Sequence, residues 1–166
     1  MHKLREYKED DAGKINELAL LSFTQFKKHF SDWCSFTQAL NKFSDLSEVA
    51  EIIVATSSEN KVIGAVAYVP KNVKKADFFP PNTPIIRMLV VNSDFRGQGI
   101  GKALSQACIS RAVRDGCKSI ALHTSFIMDV ALPMYLRMGF VQHSEAPDIF
   151  GVKYNVYTKE IANKIM

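Results

Sequence analysis

The feature that most limits the possible folds of this chain is a glycine-bearing turn between a predicted strand and a predicted helix. The apolar residues 84–91 favour a strand, residues 100–112 repeat apolar side chains at helical spacing, and the turn at 96–101 is Arg-Gly-Gln-Gly-Ile-Gly. Glycine lets a backbone approach a ligand closely, and free N–H groups at a helix start favour an anion such as pyrophosphate. The spacing matches neither a P-loop nor GxGxxG. The turn therefore predicts either a phosphate-binding site of another kind or simply a tight strand-to-helix connection.

The rest of the chain alternates between helical and strand patterns. Strands are predicted at residues 2–8, 51–56, 61–69, 84–91, 118–124, 140–143 and 152–158. Helices are predicted from Asp10 or Asp11 through Phe30, from Trp33 to about residues 44–47, from Ile100 through Asp115 and from Asp129 through Met138. Prolines bracket a long loop at 70–84. This order predicts an α/β (α+β) fold around one mixed sheet.

The composition narrows the class of protein. A length of 166 residues with 47% apolar side chains suits one domain spanning 1–166. The net charge of +4 has no basic run that predicts a nucleic-acid partner, and no apolar stretch predicts membrane insertion or a signal peptide. The three cysteines form no CxxC pair, and the histidines are scattered, so no metal is expected. We expect a cytoplasmic protein.

Two motifs in chain order resemble those of the GNAT (Gcn5-related N-acetyltransferase) family. The apolar triplet Leu-Val-Val at 89–91 precedes residues 96–102, which match the family pattern Gln/Arg-x-x-Gly-x-Gly/Ala at a helix start. Residues 131–140, Ala-Leu-Pro-Met-Tyr-Leu-Arg-Met-Gly-Phe, resemble the second family signature, Ala-x-x-Leu/Phe/Met-Tyr-x-x-x-Gly-Phe. Together the motifs cover about residues 84–145.

The resemblance implies a fold and a cosubstrate. It implies a mostly antiparallel sheet of six to seven strands, splayed between the fourth and fifth strands and flanked by about four helices. Acetyl-coenzyme A would lie in that cleft and donate its acetyl group to a primary amine, by direct attack in a ternary complex. The resemblance assigns coenzyme contacts to Leu89, Val90, Val91, Arg96, Gly97, Gln98, Gly99, Ile100, Gly101 and Lys102.

The chain departs from the family pattern at two positions. Ser93 stands where the family often has Pro, and Met128 stands where it often has an Asn that touches the coenzyme. The second departure removes one polar contact with the coenzyme.

Tyr135 is the candidate proton donor for the leaving thiolate. A phenol with a pKa near ~10 can donate to a thiolate whose conjugate acid has a pKa near ~8.5. The family motif puts this Tyr beside the coenzyme sulfur, whereas a Tyr on a helix face otherwise packs in a core. For the oxyanion, the resemblance implies backbone N–H groups near Val90 or Val91.

His123 is the candidate base for the amine proton. It ends the fifth predicted strand and faces opposite Ile120 and Leu122 by strand alternation, at a place where some family members have a Glu. An ordinary imidazole would titrate at about 6–7. A structural histidine is the alternative, and a water chain ending on Glu51 or Asp129 is another.

The acceptor stays open at this stage. A small-molecule amine is the leading hypothesis, with a protein N-terminus or lysine as the alternative and a non-catalytic acyl-coenzyme A sensor as a hypothesis from another class. In the family, the first two helices and the loops recognise the acceptor, which corresponds here to residues 23–43 and 70–84. Their aromatic content predicts a partly apolar acceptor. The sequence leaves a homodimer open.

Overall fold

The computed structural model describes residues 1–161 as a seven-stranded sheet with helices on both faces. The strands are β1 (His2–Glu6), β2 (Glu51–Ser57), β3 (Val62–Val69), β4 (Ile85–Val91), β5 (Ser119–Thr124), β6 (Val141–Ile149) and β7 (Val152–Glu160). The α-helices are α1 (Ala12–Thr24), α2 (Trp33–Leu40), α3 (Ile100–Arg114) and α4 (Ala131–Arg137), and short 3-10 helices include Phe43–Glu48. This order of strands and α-helices is the one that the sequence predicts.

The sheet opens between β4 and β5. Its order is β1-β2-β3-β4-β5-β7-β6, and every neighbouring pair except β4 with β5 is antiparallel. The parallel pair is in register only at Ile85 and Ala121, whereas β5 pairs with β7 along its whole length. The two strands therefore diverge after their first residues, which confirms the predicted splay.

Each face of the sheet has its own apolar core. One core contains Leu18 of α1 and Phe36 of α2, and the other contains Leu104 of α3 and Tyr135 of α4. Strand alternation distributes side chains between these cores. The cleft between β4 and β5 is consequently bordered by helices on both sides.

Several predicted boundaries were wrong. The second helix, predicted to end near residues 44–47, ends at Leu40, and a 3-10 helix follows at Phe43–Glu48. The first helix ends at Thr24, and a 3-10 turn at Lys27–His29 replaces its predicted continuation to Phe30. Asp129 does not cap α4, which begins at Ala131 after Val130. The strand predicted at 140–143 is the longer β6, whose polar and exposed side chains hide its extent from a hydrophobicity pattern.

Candidate active site

The turn before α3 forces the backbone into conformations that favour glycine. Gly97 has φ 79° and Gly99 has φ 78°, both in the left-handed region. A Cβ atom at Gly99 would meet no heavy atom within 4 Å, so the need for glycine comes from the backbone and not from packing. Gly99 precedes α3, and its carbonyl accepts the N–H of Ala103 at 2.9 Å. The N–H groups before Ala103 therefore have no intrahelical acceptor.

A cavity of about 580 Å³ extends from this turn into the splay and is the candidate coenzyme cavity. Seven of the ten residues predicted to contact the coenzyme line it: Leu89, Val91, Arg96, Gly97, Gly99, Gly101 and Lys102. The other three do not. Val90 and Ile100 are each 1% exposed and belong to opposite cores, while Gln98 is exposed outside the cavity wall.

Basic side chains from distant parts of the chain line the coenzyme cavity. Arg137 of α4 and Lys159 of β7 join Arg96 and Lys102, against the single carboxylate of Asp129. This excess of positive charge favours a polyanionic ligand such as a coenzyme phosphate group. Neither Arg137 nor Lys159 was predicted from the sequence to contact the coenzyme, although Arg137 lies within the second family motif.

A β-bulge interrupts β4 where the strands separate. Ala65 pairs with Val90 and Ala67 pairs with Arg87, so Met88 and Leu89 lie opposite a single residue of β3. Met88 has φ 57°, a left-handed conformation that costs a non-glycine residue about 1–2 kcal/mol. Bulges and strained backbone cluster at functional sites. Nothing in the sequence indicates this bulge.

The bulge is followed by backbone groups that face the cleft. The N–H of Asn92 donates to the carbonyl of Ile63 at 2.7 Å, and backbone groups alternate direction along an antiparallel strand. Val90 therefore faces β3 and Val91 faces away from it. The Ser22 hydroxyl, 3.4 Å from the Val91 carbonyl, is on that open side. Of the two predicted oxyanion donors, Val91 is the one whose backbone points into the splay.

Tyr135 is a buried residue of α4 beside the splay. It is 5% exposed, and its ring packs edge-on against Phe140 with centroids 5.5 Å apart. Burial, with a smaller contribution from Cys108, raises its pKa well above the ordinary value, although a hydrogen bond with Ser105 opposes the shift. The phenol is therefore protonated at neutral pH and can donate a hydrogen bond, although the raised pKa makes it a weaker acid than an ordinary phenol.

His123 lies within a group of aromatic rings on the other face of β5. Its ring centroid is 5.5 Å from that of Phe78, 5.4 Å from Phe79 and 5.2 Å from Tyr154. Among residues 1–161 the enclosed Nδ1 atom has no hydrogen-bond partner. Burial, and then the positive charge of Arg87, lowers the pKa of His123 to about 4. The imidazole is consequently neutral at pH 7, and its titration lies below the range of about 6–7 that an ordinary histidine would show.

A second cavity, of about 520 Å³, includes His123 and Tyr135 in its wall and is the candidate acceptor cavity. Aromatic side chains from several elements line it, namely Phe23, Phe36, Phe43, Phe150 and Tyr154. Four residues border both cavities: Phe23, Leu89, Met128 and Ala131. The two cavities therefore meet at the splay, beside the bulge of β4.

The two carboxylates considered as ends of a water chain lie elsewhere. Glu51 makes ion pairs with Arg111 at 2.5 Å and Arg114 at 2.8 Å, and the hydrogen bond from Arg114 is the largest cause that lowers its pKa. It lines neither of these cavities, and Asp129 lines only the coenzyme cavity. Neither side chain borders the acceptor cavity.

No helix in residues 1–161 combines the length and apolar character that crossing a membrane requires. The same residues contain no group of three or more His, Cys, Asp or Glu side chains placed to hold a metal ion.

Comparison with known proteins identifies the family. The sequence profile of the acetyltransferase (GNAT) family matches residues 14–140, well over half of the chain. The chain therefore belongs to the GNAT acetyltransferase family.

Individual relatives agree with this assignment. N-acetyltransferase 8F1 of Rattus norvegicus is 39% identical over 83 residues, which are 50% of this chain and 36% of that protein. N-alpha-acetyltransferase 30 of Saccharomyces cerevisiae is 40% identical over 57 residues, 34% of this chain and 32% of that protein. The chain thus spans about a third of the length of these two curated relatives.

The fold is also found in solved structures. The crystal structure of histone acetyltransferase HPA2 and related acetyltransferase from Corynebacterium glutamicum superposes with a TM-score of 0.75, covers 99% of both chains and is 22% identical in sequence. At this identity the likeness shows the fold alone, and it agrees with the expected splayed sheet.

Proposed function

We propose that this protein is an acetyl-coenzyme A-dependent N-acetyltransferase whose acceptor is the primary amine of a small molecule. The observation that carries the proposal is the meeting of two different cavities at the splay between β4 and β5. One has a glycine turn, a helix N-terminus and four cations, and the other has aromatic walls with one neutral imidazole. This pairing suits an anionic acyl donor on one side and an amine acceptor on the other.

The coenzyme cavity fits a pyrophosphate and an extended arm. The left-handed glycines open the backbone in front of α3, so N–H groups from Gly97 to Lys102 can bind an anion with help from the helix dipole. The backbone of Val91 is placed to bind the amide-bearing arm or the thioester carbonyl. When bound, acetyl-coenzyme A supplies an acetyl group activated as a thioester.

Two side chains are proposed to handle protons. Tyr135 stabilises the leaving thiolate by donating a hydrogen bond from its phenol, which its raised pKa keeps protonated. His123 accepts a hydrogen bond from the amine through Nε2, since Nδ1 is enclosed, and takes the proton as the new C–N bond forms. Because its pKa is about 4, the neutral form that can accept is the one present near pH 7.

The closure of the acceptor cavity supports a small molecule over a protein segment. The Ser31 N–H, between α1 and α2, donates to the carbonyl of Phe150 in the β6–β7 hairpin at 2.8 Å. Phe150 also packs edge-on against Phe36, with centroids 6.3 Å apart. The α1–α2 connection therefore touches the hairpin beside the cavity, which leaves less room for an extended peptide.

A protein N-terminus is the second candidate acceptor. The observation that favours it is the 40% identity, over 57 residues, to a protein named N-alpha-acetyltransferase 30. Peptide binding would require the contact between Ser31 and Phe150 to open.

Thiol release from acetyl-coenzyme A tests the proposal. Purified protein is incubated with acetyl-coenzyme A and a panel of small amines, antibiotics and N-terminal peptides, and free thiol is measured. We expect release that depends on a small amine. Release with peptides alone would favour the second candidate. If calorimetry shows that acetyl-coenzyme A binds but no reaction releases thiol, an acyl-coenzyme A sensor would be favoured instead. Met128, which stands where the family often has a polar Asn, favours that role.

A further inference from the structure

Arg87 differs from the other arginines of the described chain. Arg5, Arg111 and Arg114 form ion pairs with carboxylates, and Arg96 and Arg137 line the coenzyme cavity. Arg87 projects from β4, beside the bulge, into the acceptor cavity. Within residues 1–161 it makes no ion pair with an Asp or Glu side chain. This cation therefore lies in a ligand cavity without a protein anion bound to it.

The surroundings of Arg87 increase its attraction for an anion. The guanidinium is accessible from the cavity, yet enough protein surrounds it that burial lowers its pKa. Apolar side chains such as Leu40, Phe43 and Tyr154 line the same cavity and reduce the screening of its charge. Arg87 also lowers the pKa of His123, so its positive charge acts on the imidazole in the same cavity.

The other charges of the cavity leave a positive excess. Lys42 and Asp45 line the same wall and carry opposite charges, so Arg87 adds one uncompensated positive charge. A cation at this position favours a neutral amine over an ammonium and favours an anionic group elsewhere on the same molecule. Arginine also suits a carboxylate geometrically, because its planar fork can donate two parallel hydrogen bonds.

We propose that the acceptor is an amino acid in the broad sense, an amine that also bears a carboxylate, and that Arg87 binds this carboxylate while the amine meets His123. The proposal rests on the proposed function and makes it more specific. The aromatic walls further favour an apolar or aromatic body between the two polar ends.

Two pairs of acceptors that differ only in the negative charge test the proposal. The pairs are phenylalanine with phenylalaninamide, and 4-(aminomethyl)benzoate with 4-(aminomethyl)benzamide, which separate the amine and the carboxylate by different lengths. The measurement is the ratio of kcat/KM for the acid to that for the amide, at equal concentrations of free amine. We expect a ratio above one in at least one pair, and a fall of about tenfold or more in Arg87→Gln.

Matched variants separate this role from a structural one. Lys42→Gln removes one positive charge from the same cavity and should change the ratio less than about threefold, since its charge is balanced by Asp45. Arg87→Lys should retain part of the preference. An equal loss on the acid and the amide of both pairs in a folded Arg87→Gln protein would overturn the proposal, as would ratios of one in the wild type.

A binding experiment distinguishes this proposal from the proposed function. If no acceptor gives thiol release, the proposed function fails. Calorimetry with the same four compounds in the presence of coenzyme A still tests whether Arg87 binds a carboxylate. Tighter binding of an acid than of its amide, lost in Arg87→Gln, would support the site. Equal binding of acid and amide would reject it.

Discussion

The coenzyme cavity and the acceptor cavity meet at one splay but are built in different ways. The coenzyme cavity includes one short stretch, the turn before α3, whose glycines set the backbone conformation at the helix N-terminus. The acceptor cavity depends on side chains that come from α1, α2, a 3-10 helix, β4, β5, α4, β6 and β7. The turn of the first cavity is therefore defined by local chain geometry, whereas the second cavity is defined by tertiary packing.

This difference predicts that the two cavities respond differently to substitution. Backbone N–H groups survive most substitutions, so the turn of the coenzyme cavity is sensitive chiefly to the loss of glycine. The acceptor cavity changes with each side chain in its wall. Substitutions that target one cavity at a time test this contrast.

We expect the largest effect from Tyr135→Phe, in the part of the acceptor cavity wall that α4 forms. The ring still packs, but the proton donor is gone, so kcat should fall about 100-fold while the Kd for acetyl-coenzyme A changes less than about threefold. Steady-state kinetics and calorimetry measure the two quantities. Tyr157→Phe is the control, since it removes a buried hydroxyl from the same core outside both cavities. Equal kcat in Tyr135→Phe, with chemistry rate-limiting, would remove Tyr135 from the donor role.

The next effect is expected in the coenzyme cavity, from Gly99→Val. A side chain there forces a left-handed backbone on a β-branched residue and fills the space before the helix, so the affinity for acetyl-coenzyme A should fall about 30-fold. Gly116→Val is a matched control, because Gly116 has φ 70° and equally open surroundings away from the cavity. Both variants should lose about 1–2 kcal/mol of folding stability from backbone strain, and only Gly99→Val should lose affinity. Equal affinities in calorimetry would contradict the assigned site.

In the acceptor cavity, His123 should make folding stability depend on pH. Its pKa is about 4 in the folded protein and near ~6.5 when unfolded, so between these values only the unfolded chain binds the proton. Stability is therefore lost as the pH falls, by about 1–2 kcal/mol from pH 7 to pH 5. Urea unfolding of the wild type and of His123→Gln at several pH values gives the free energy of unfolding as a function of pH. The difference between the two slopes reports on His123, because the other titrating groups are common to both proteins. Identical slopes would show that burial does not lower this pKa.

The smallest effect is expected on turnover in His123→Ala. Loss of the proton acceptor should lower kcat/KM about three- to tenfold at pH 7 with a fixed amine acceptor. Because His123 is neutral throughout pH 6–9, the ratio of the two proteins should stay constant while both rates rise with the fraction of free amine. A ratio that instead changes near pH 6–7 would mean that His123 titrates like an ordinary histidine. Equal rates at every pH would make His123 structural.

The sequence predicted the fold well, and it indicated part of the lining of the candidate coenzyme cavity. The order of strands and helices followed from hydrophobic periodicity, since the strands and helices alternate clearly along most of the chain. Seven of the ten predicted coenzyme residues line the cavity, because the contacts of a turn are set by neighbours in the chain. Val90 and Ile100 were included as members of contiguous motifs, yet their side chains point into the cores. The predicted range of edge strand β6 was too short because its polar side chains hide the strand from a hydrophobicity pattern.

The amino-acid sequence was therefore enough to predict the glycine turn, the order of the elements and the place of Tyr135 on its helix, because each of these depends on residues close together in the chain. The tertiary structure was needed to show that Arg87 and His123 share one cavity and that burial keeps His123 neutral. It alone showed the bulge at Met88 and the cations of Arg137 and Lys159 beside the turn. Each of these depends on segments distant in sequence, whose distances and solvation are set by packing.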